Sequence, residues 1–152
     1  MGTRFEGIAE MKAKVGGQLG YSDWHEVSQE QVDLFADATG DHQWIHVDPD
    51  RARRESPFGG PIAHGYLTLS LAPVLLGQIV SAGGVSMGVN YGCNRVRFPA
   101  PVPVGARLRL GATLQSFEEI PGGAQVVMGL TFEVEGQEKP ACVAEAVYRY
   151  YA

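Results

Sequence analysis

The chain has 152 residues, 45% of them hydrophobic, with a formal net charge of −5 and charged residues at 19%. That is the size and apolar content of one domain with a real core, spanning residues 1–152. The acidic balance argues against a nucleic-acid binder, and the only two cysteines, Cys93 and Cys142, cannot make a disulfide framework and read as packing residues.

From the N-terminus, Met1-Gly2-Thr3-Arg4-Phe5-Glu6 has no apolar run, so no secretory signal is expected. Glu6 stands where a myristoylation site wants Ser or Thr. The expectation is a cytoplasmic protein. Phe5 to Lys14 suggests a short helix, and Gln18 to Val27 an extended segment. Ser28-Gln29-Glu30-Gln31 is a capping box, with each side chain able to satisfy the other residue's backbone N–H. A helix should start there, bury Val32, Phe35 and Ala36, and stop at Gly40 in the left-handed conformation. A loop from Asp41 to Asp48 follows, then a short helix opened by Pro49 and reaching about Glu55. Pro57-Phe58-Gly59-Gly60-Pro61 is a second loop.

From about Ala63 the chain reads as a long helix, apolar almost all round, that Pro73 should break or kink. Its polar interruptions His64, Thr68, Ser70 and Gln78 favour a buried helix over a membrane span. The remainder alternates apolar and polar residues and predicts half-buried antiparallel strands: Ala106 to Gln115, Ala124 to Val134 and Cys142 to Tyr150. Between Val85 and Phe98 the apolar phase flips, which a bulge near Gly92 to Asn94 would explain. The architecture expected is α+β, a curved antiparallel sheet around one long helix.

The chemistry concentrates in Thr39-Gly40-Asp41-His42-Gln43-Trp44-Ile45-His46-Val47-Asp48-Pro49 and in Ile62-Ala63-His64-Gly65. Asp41 and His46 are five positions apart, about 140° on a helix and opposite faces on a strand. They can act together only across a shaped loop. The arginines fall in two groups, Arg51, Arg53 and Arg54, and Arg95, Arg97, Arg107 and Arg109. Each can meet a phosphorylated small molecule or remain solvated surface. No His-Glu-x-x-His motif, glycine-rich phosphate loop or nucleophile elbow is present, so neither a metal nor a bound cofactor is expected.

Phe35, Gly40-Asp41, Ile45-His46 and Ala52, followed by Ile62-Ala63-His64-Gly65 and by the block Asn94 to Gly105, resemble the MaoC-like dehydratases, the (R)-specific enoyl-CoA hydratases. The resemblance implies a hot-dog fold and a homodimer with active sites near the subunit interface. One departure is visible: Gln43-Trp44 replaces the family's usual Asn-Pro. The implied activity is (R)-specific hydration of a trans-2-enoyl-CoA, with Asp41 and His46 activating one water. Gly65 is the candidate oxyanion donor through its backbone N–H, at the exposed start of a helix. His64, Asn94, Arg95 and Arg97 are candidate substrate contacts, the arginines for the acyl-CoA phosphates. No nucleic-acid or membrane partner is expected. Two other readings stay open: a thioesterase on the same fold, and a non-catalytic acyl-CoA-binding module.

Overall fold

A computed structural model describes residues 2–152. Strand β1, Thr3–Phe5, leads into a single 3₁₀ stretch, Ile8–Lys14. The helix expected from Phe5 is therefore shorter and tighter, because the first residues are drawn into pairing. The segment expected to be extended from Gln18 to Val27 is two short strands, β2 Gln18–Tyr21 and β3 His25–Glu26. Helix α1 is Gln29–Thr39, α2 is the single turn Trp44–Val47, and α3 is Pro49–Glu55.

The Ser28 hydroxyl accepts the Gln31 N–H, as the capping box requires. The Gln31 side chain does not reach back; its Oε1 meets His25 Nε2 at 2.9 Å instead. Gly40 ends α1 at φ 84°, its N–H donated to the Ala36 carbonyl. That left-handed geometry is one Gly adopts without steric cost.

The central helix is two pieces, α4 Gly65–Ser70 and α5 Ala72–Ile79, interrupted at Leu71 with Pro73 in the first turn of the second. Pro73 has no N–H to continue the ladder. The helix is wrapped on one side only. Leu67, Thr68, Leu71, Leu75, Leu76 and Ile79 are buried against the sheet, while Tyr66 and Val74 are 71% and 60% exposed. Apolar residues all round thus mark a buried face and a bare one within a single chain.

Strands β4 Val80–Ala82, β5 Met87–Arg97, β6 Arg107–Ile120, β7 Gly123–Val134 and β8 Cys142–Tyr151 complete the fold. The main sheet runs β2-β6-β7-β8-β5, all antiparallel, with β3 also on β6; β1 pairs in parallel with β4 as a separate two-stranded piece. β7 alternates perfectly, burying Ala124, Val126, Met128, Leu130, Phe132 and Val134. β6 extends beyond Gln115 because a bulge between Leu114 and Ser116 resets its register. β5 carries two irregularities, between Asn90 and Gly92 and between Cys93 and Arg95, where the sequence phase flips. It is an exposed edge strand, and Cys93, expected to pack, is exposed; only Cys142 is buried. Among the described residues, no helix is long and apolar enough to cross a membrane.

Candidate active site

Asp41 and His46 are brought together by the turn that ends α1 and the one-turn α2. The Asp41 carboxylate is local and exposed: Oδ1 accepts the Gln43 N–H at 3.3 Å, an Asx turn that launches α2. α2 then lifts His46 inward until it is 6% exposed. The sequence reading of residues 41–48 as one loop misses this turn, since four residues are too few for a periodic signal.

His46 is fixed from three sides. The Gln29 side-chain amide donates to its backbone carbonyl at 2.7 Å, and its own N–H reaches the Gln43 carbonyl. Its Nδ1 lies 2.6 Å from the Ile62 carbonyl. A carbonyl only accepts, so Nδ1 carries the proton and Nε2 keeps its lone pair. Ile62 is pinned in turn: its N–H donates to Ile45, and the neighbouring Ala63 N–H to Val102. Burial holds the His46 imidazole below its ordinary value of 6.5. The Ile62 bond and the Asp41 charge pull the other way, and nearby His64 adds to the lowering. The ring is therefore unprotonated at neutral pH, as a base must be.

His64 stacks on His46 with ring centroids 3.9 Å apart and planes 25° from parallel. It is 3% exposed, and its Nε2 lies 3.0 Å from the Asp41 carbonyl oxygen. One ligand-capable atom from each of Asp41, His46 and His64 lies within 4.8 Å of the others. These three are the residues that could meet a metal.

Beside His46 opens a cavity of about 300 Å³ lined by Ala63, Gly65, Thr68, Phe98 and Pro99 among others. Gly65 is the first residue of α4, and among the described residues its N–H has no acceptor. A Cβ at Gly65 would meet the Phe98 ring at 3.1 Å, so Gly lets the aromatic wall close on the helix start a few tenths of an ångström further than a side chain would. Phe98 and Gln29 are not legible as site residues in the sequence. Phe98 sits in the third block among prolines, and Gln29 looks like a capping residue.

The structure separates the other candidates from this cavity. His64 does not line it. Arg95 and Arg97 lie on the outer sheet face, in a groove of about 490 Å³ with Thr113, Thr131 and Glu145. Pro99 lines both spaces and is the wall between them. Asn94 is exposed at the second β5 irregularity. Most other arginines have carboxylate partners: Arg107 with Glu135, Arg109 with Glu133, Arg51 with Glu55 and Arg53 with Asp50. Arg109 is also stacked between Tyr21 and Trp24.

The arrangement sets an oriented neutral imidazole in the wall of a cavity that also meets an unpaired helix-start N–H; Asp41 is not in that wall, but its carboxylate has an oxygen within 4.8 Å of a His46 ring nitrogen. Comparison with known proteins gives it context. Residues 10–135 match the family model described as "MaoC like domain". The chain is 54% identical over 149 residues to 3-hydroxyacyl-thioester dehydratase Z of Mycobacterium tuberculosis, covering 97% of this chain and 98% of that protein. It is 45% identical over 140 residues to nodulation protein N of Rhizobium leguminosarum bv. viciae, covering 90% and 86%. The (R)-hydratase from A. caviae involved in PHA biosynthesis superposes with a TM-score of 0.69 at 25% identity, over 85% of this chain and 93% of that one. The fold is the hot-dog fold, and the chain belongs to the MaoC-like dehydratase family.

Proposed function

We propose that the protein is a hydro-lyase that adds water to a trans-2-enoyl-CoA to give the (R)-3-hydroxyacyl-CoA, and runs the reverse dehydration. The observation that carries this reading is the Asp41–His46 pair, with His46 Nε2 left free by the Nδ1 bond to Ile62. One water held between the carboxylate and Nε2 loses a proton to the pair while its oxygen attacks C3. The π electrons move toward the thioester oxygen, and the pair returns a proton to C2. Both new bonds form on the face presented to the pair, which gives a single 3-hydroxy stereoisomer.

The Gly65 N–H would receive the developing oxyanion. Preorganised donors of this kind are commonly worth about 3 kcal/mol in the transition state. The Arg95 and Arg97 groove adjoins the cavity across Pro99, so a thioester entering the cavity could lay its phosphates there, with Asn94 nearby. The bare Tyr66 and Val74 stripe and the open β5 edge suit burial against a second copy, as a homodimer requires. We propose that the enzyme uses no resident cofactor and works in the cytoplasm. The test is a short trans-2-enoyl-CoA, followed by loss of enoyl absorbance with free thiol assayed in parallel. Enoyl loss without thiol release is the expected result. Thiol release would make the protein a thioesterase, and binding without either change a non-catalytic module.

A further inference from the structure

The resemblance offers His64 as a substrate contact, but His64 does not line the cavity. It is 3% exposed and stands at the N-cap position of α4 without a side-chain capping bond, and its ring packs on Phe35, at 4.9 Å and 53°, and on the stacked His46. Its Nε2 reaches 23 residues back to the Asp41 main chain. Because that partner is a carbonyl, Nε2 must donate, and Nδ1 becomes a buried acceptor with no partner in the chain. A buried polar atom left unsatisfied carries a cost, so such an atom calls for a reason.

The reason lies in what the ring holds. Asp41 sits in an exposed turn between the left-handed Gly40 and α2. Its other main-chain tie is a local 3.4 Å contact from its N–H to Thr39 Oγ1. Among the described residues, His64 supplies the one bond that fastens the Asp41 backbone to the α4 side of the cavity. The same ring forms the flat surface on which the His46 imidazole rests. Neither group is held against the other directly.

We propose that His64 is the positioning residue that keeps Asp41 and His46 in register, one by a hydrogen bond and the other by stacking, with the two histidines locked in opposite tautomers. His46 carries its proton on Nδ1 and His64 on Nε2, each facing a backbone carbonyl. The kinetic part of this inference rests on the hydro-lyase reading; the tautomer part does not.

The first measurement is imidazole ¹⁵N NMR at alkaline pH. The expected pattern is Nδ1–H for His46 and Nε2–H for His64. An Nδ1–H or averaged His64 would overturn the proposal whatever the enzyme catalyses. The second measurement uses two variants that split the roles. His64→Phe keeps a stacking ring and loses the donor, whereas His64→Gln keeps a donor near the Nε2 position and loses the ring. Displacing a reacting group by about 1 Å can cost roughly 10²-fold in rate. Accordingly, kcat of His64→Phe should fall about 10²-fold with KM within about threefold, and His64→Gln should recover only part of the loss, because it restores the bond to Asp41 but not the surface under His46. A rise in KM at unchanged kcat would restore His64 to the substrate contacts and sink the proposal, as would wild-type kcat in His64→Phe. If His64→Phe does not fold, the tautomers and the kcat of His64→Gln decide. An inactive wild type overturns the functional reading and leaves the tautomers as the test of this one.

Discussion

In the β6–β7–β8 sheet, the residues that carry stability answer to their neighbours on adjacent strands. Leu110 faces Phe132 and Phe132 faces Cys142; Ala112 faces Leu130 and Leu130 faces Ala144. All are buried. Around the segment from Asp41 to Gly65, side chains answer instead to backbone carbonyls far along the chain: His46 to Ile62, His64 to Asp41, and Gln29 of α1 to His46. The sheet is held by area, which many residues share. The site is held by a few directed bonds, each supplied by one atom. Damage to the first should appear as lost stability, and damage to the second as lost rate in a protein that still folds.

The sharpest way to break that contrast is to remove the chemistry. Asp41→Asn and His46→Gln should each lower turnover by roughly 10²–10⁴-fold, with the thermal midpoint little changed. Near-normal turnover in either variant would end the assignment of the pair. Phe132→Ala is the counterpart in the sheet. It empties a fully buried site and should cost about 3–5 kcal/mol in chemical denaturation. Its remaining folded fraction should keep the wild-type KM, and a KM change would mean the two regions are coupled.

Gly65→Ala tests the boundary between them. The new methyl group would press on the Phe98 ring at 3.1 Å and push the wall back by a few tenths of an ångström. A loss of about tenfold in kcat/KM is expected with stability nearly intact, a fraction of what a full 1 Å displacement can cost. Unchanged kinetics would remove Gly65 from the oxyanion role.

The smallest effect is set by pH. Burial keeps the folded His46 below 6.5, so the acid limb of kcat/KM should fall below that pH. The unfolded chain takes up this proton first. The His46 contribution to stability is therefore fully present above about 6.5, is lost as pH falls toward the folded value, and changes no further below it. An acid limb at or above 6.5 would show that burial does not control the ring.

Much of this was legible because it repeats. The three long strands announce themselves through alternation, the β5 irregularities through a phase flip, and the α1 stop through Gly40. Asp41 and His46 were legible through spacing and resemblance. The α2 turn, the one-sided cover of the central helix and the Gln29, His64 and Phe98 contacts were not. The α2 turn is too short for a periodic signal, the three side-chain contacts each depend on a partner 17 or more residues away, and no local pattern encodes which carbonyl a histidine will meet. Cys93 shows the reverse error: small and apolar neighbours suggested packing, but its strand is the edge of the sheet.

The strand order also bears on how the protein is made. Among the described residues, β2 and β3, within the first 26 residues, pair only with β6, which is complete at Ile120, and β5 pairs only with β8, which ends at Tyr151. As the chain leaves the ribosome, its early strands wait for most of the remaining sequence before they find partners. Pairings between such distant segments form slowly, and unpaired edges are prone to aggregate in the interval. The candidate cavity has Ala141, the residue just before β8, in its wall, so its lining too is complete only when the end of the chain arrives.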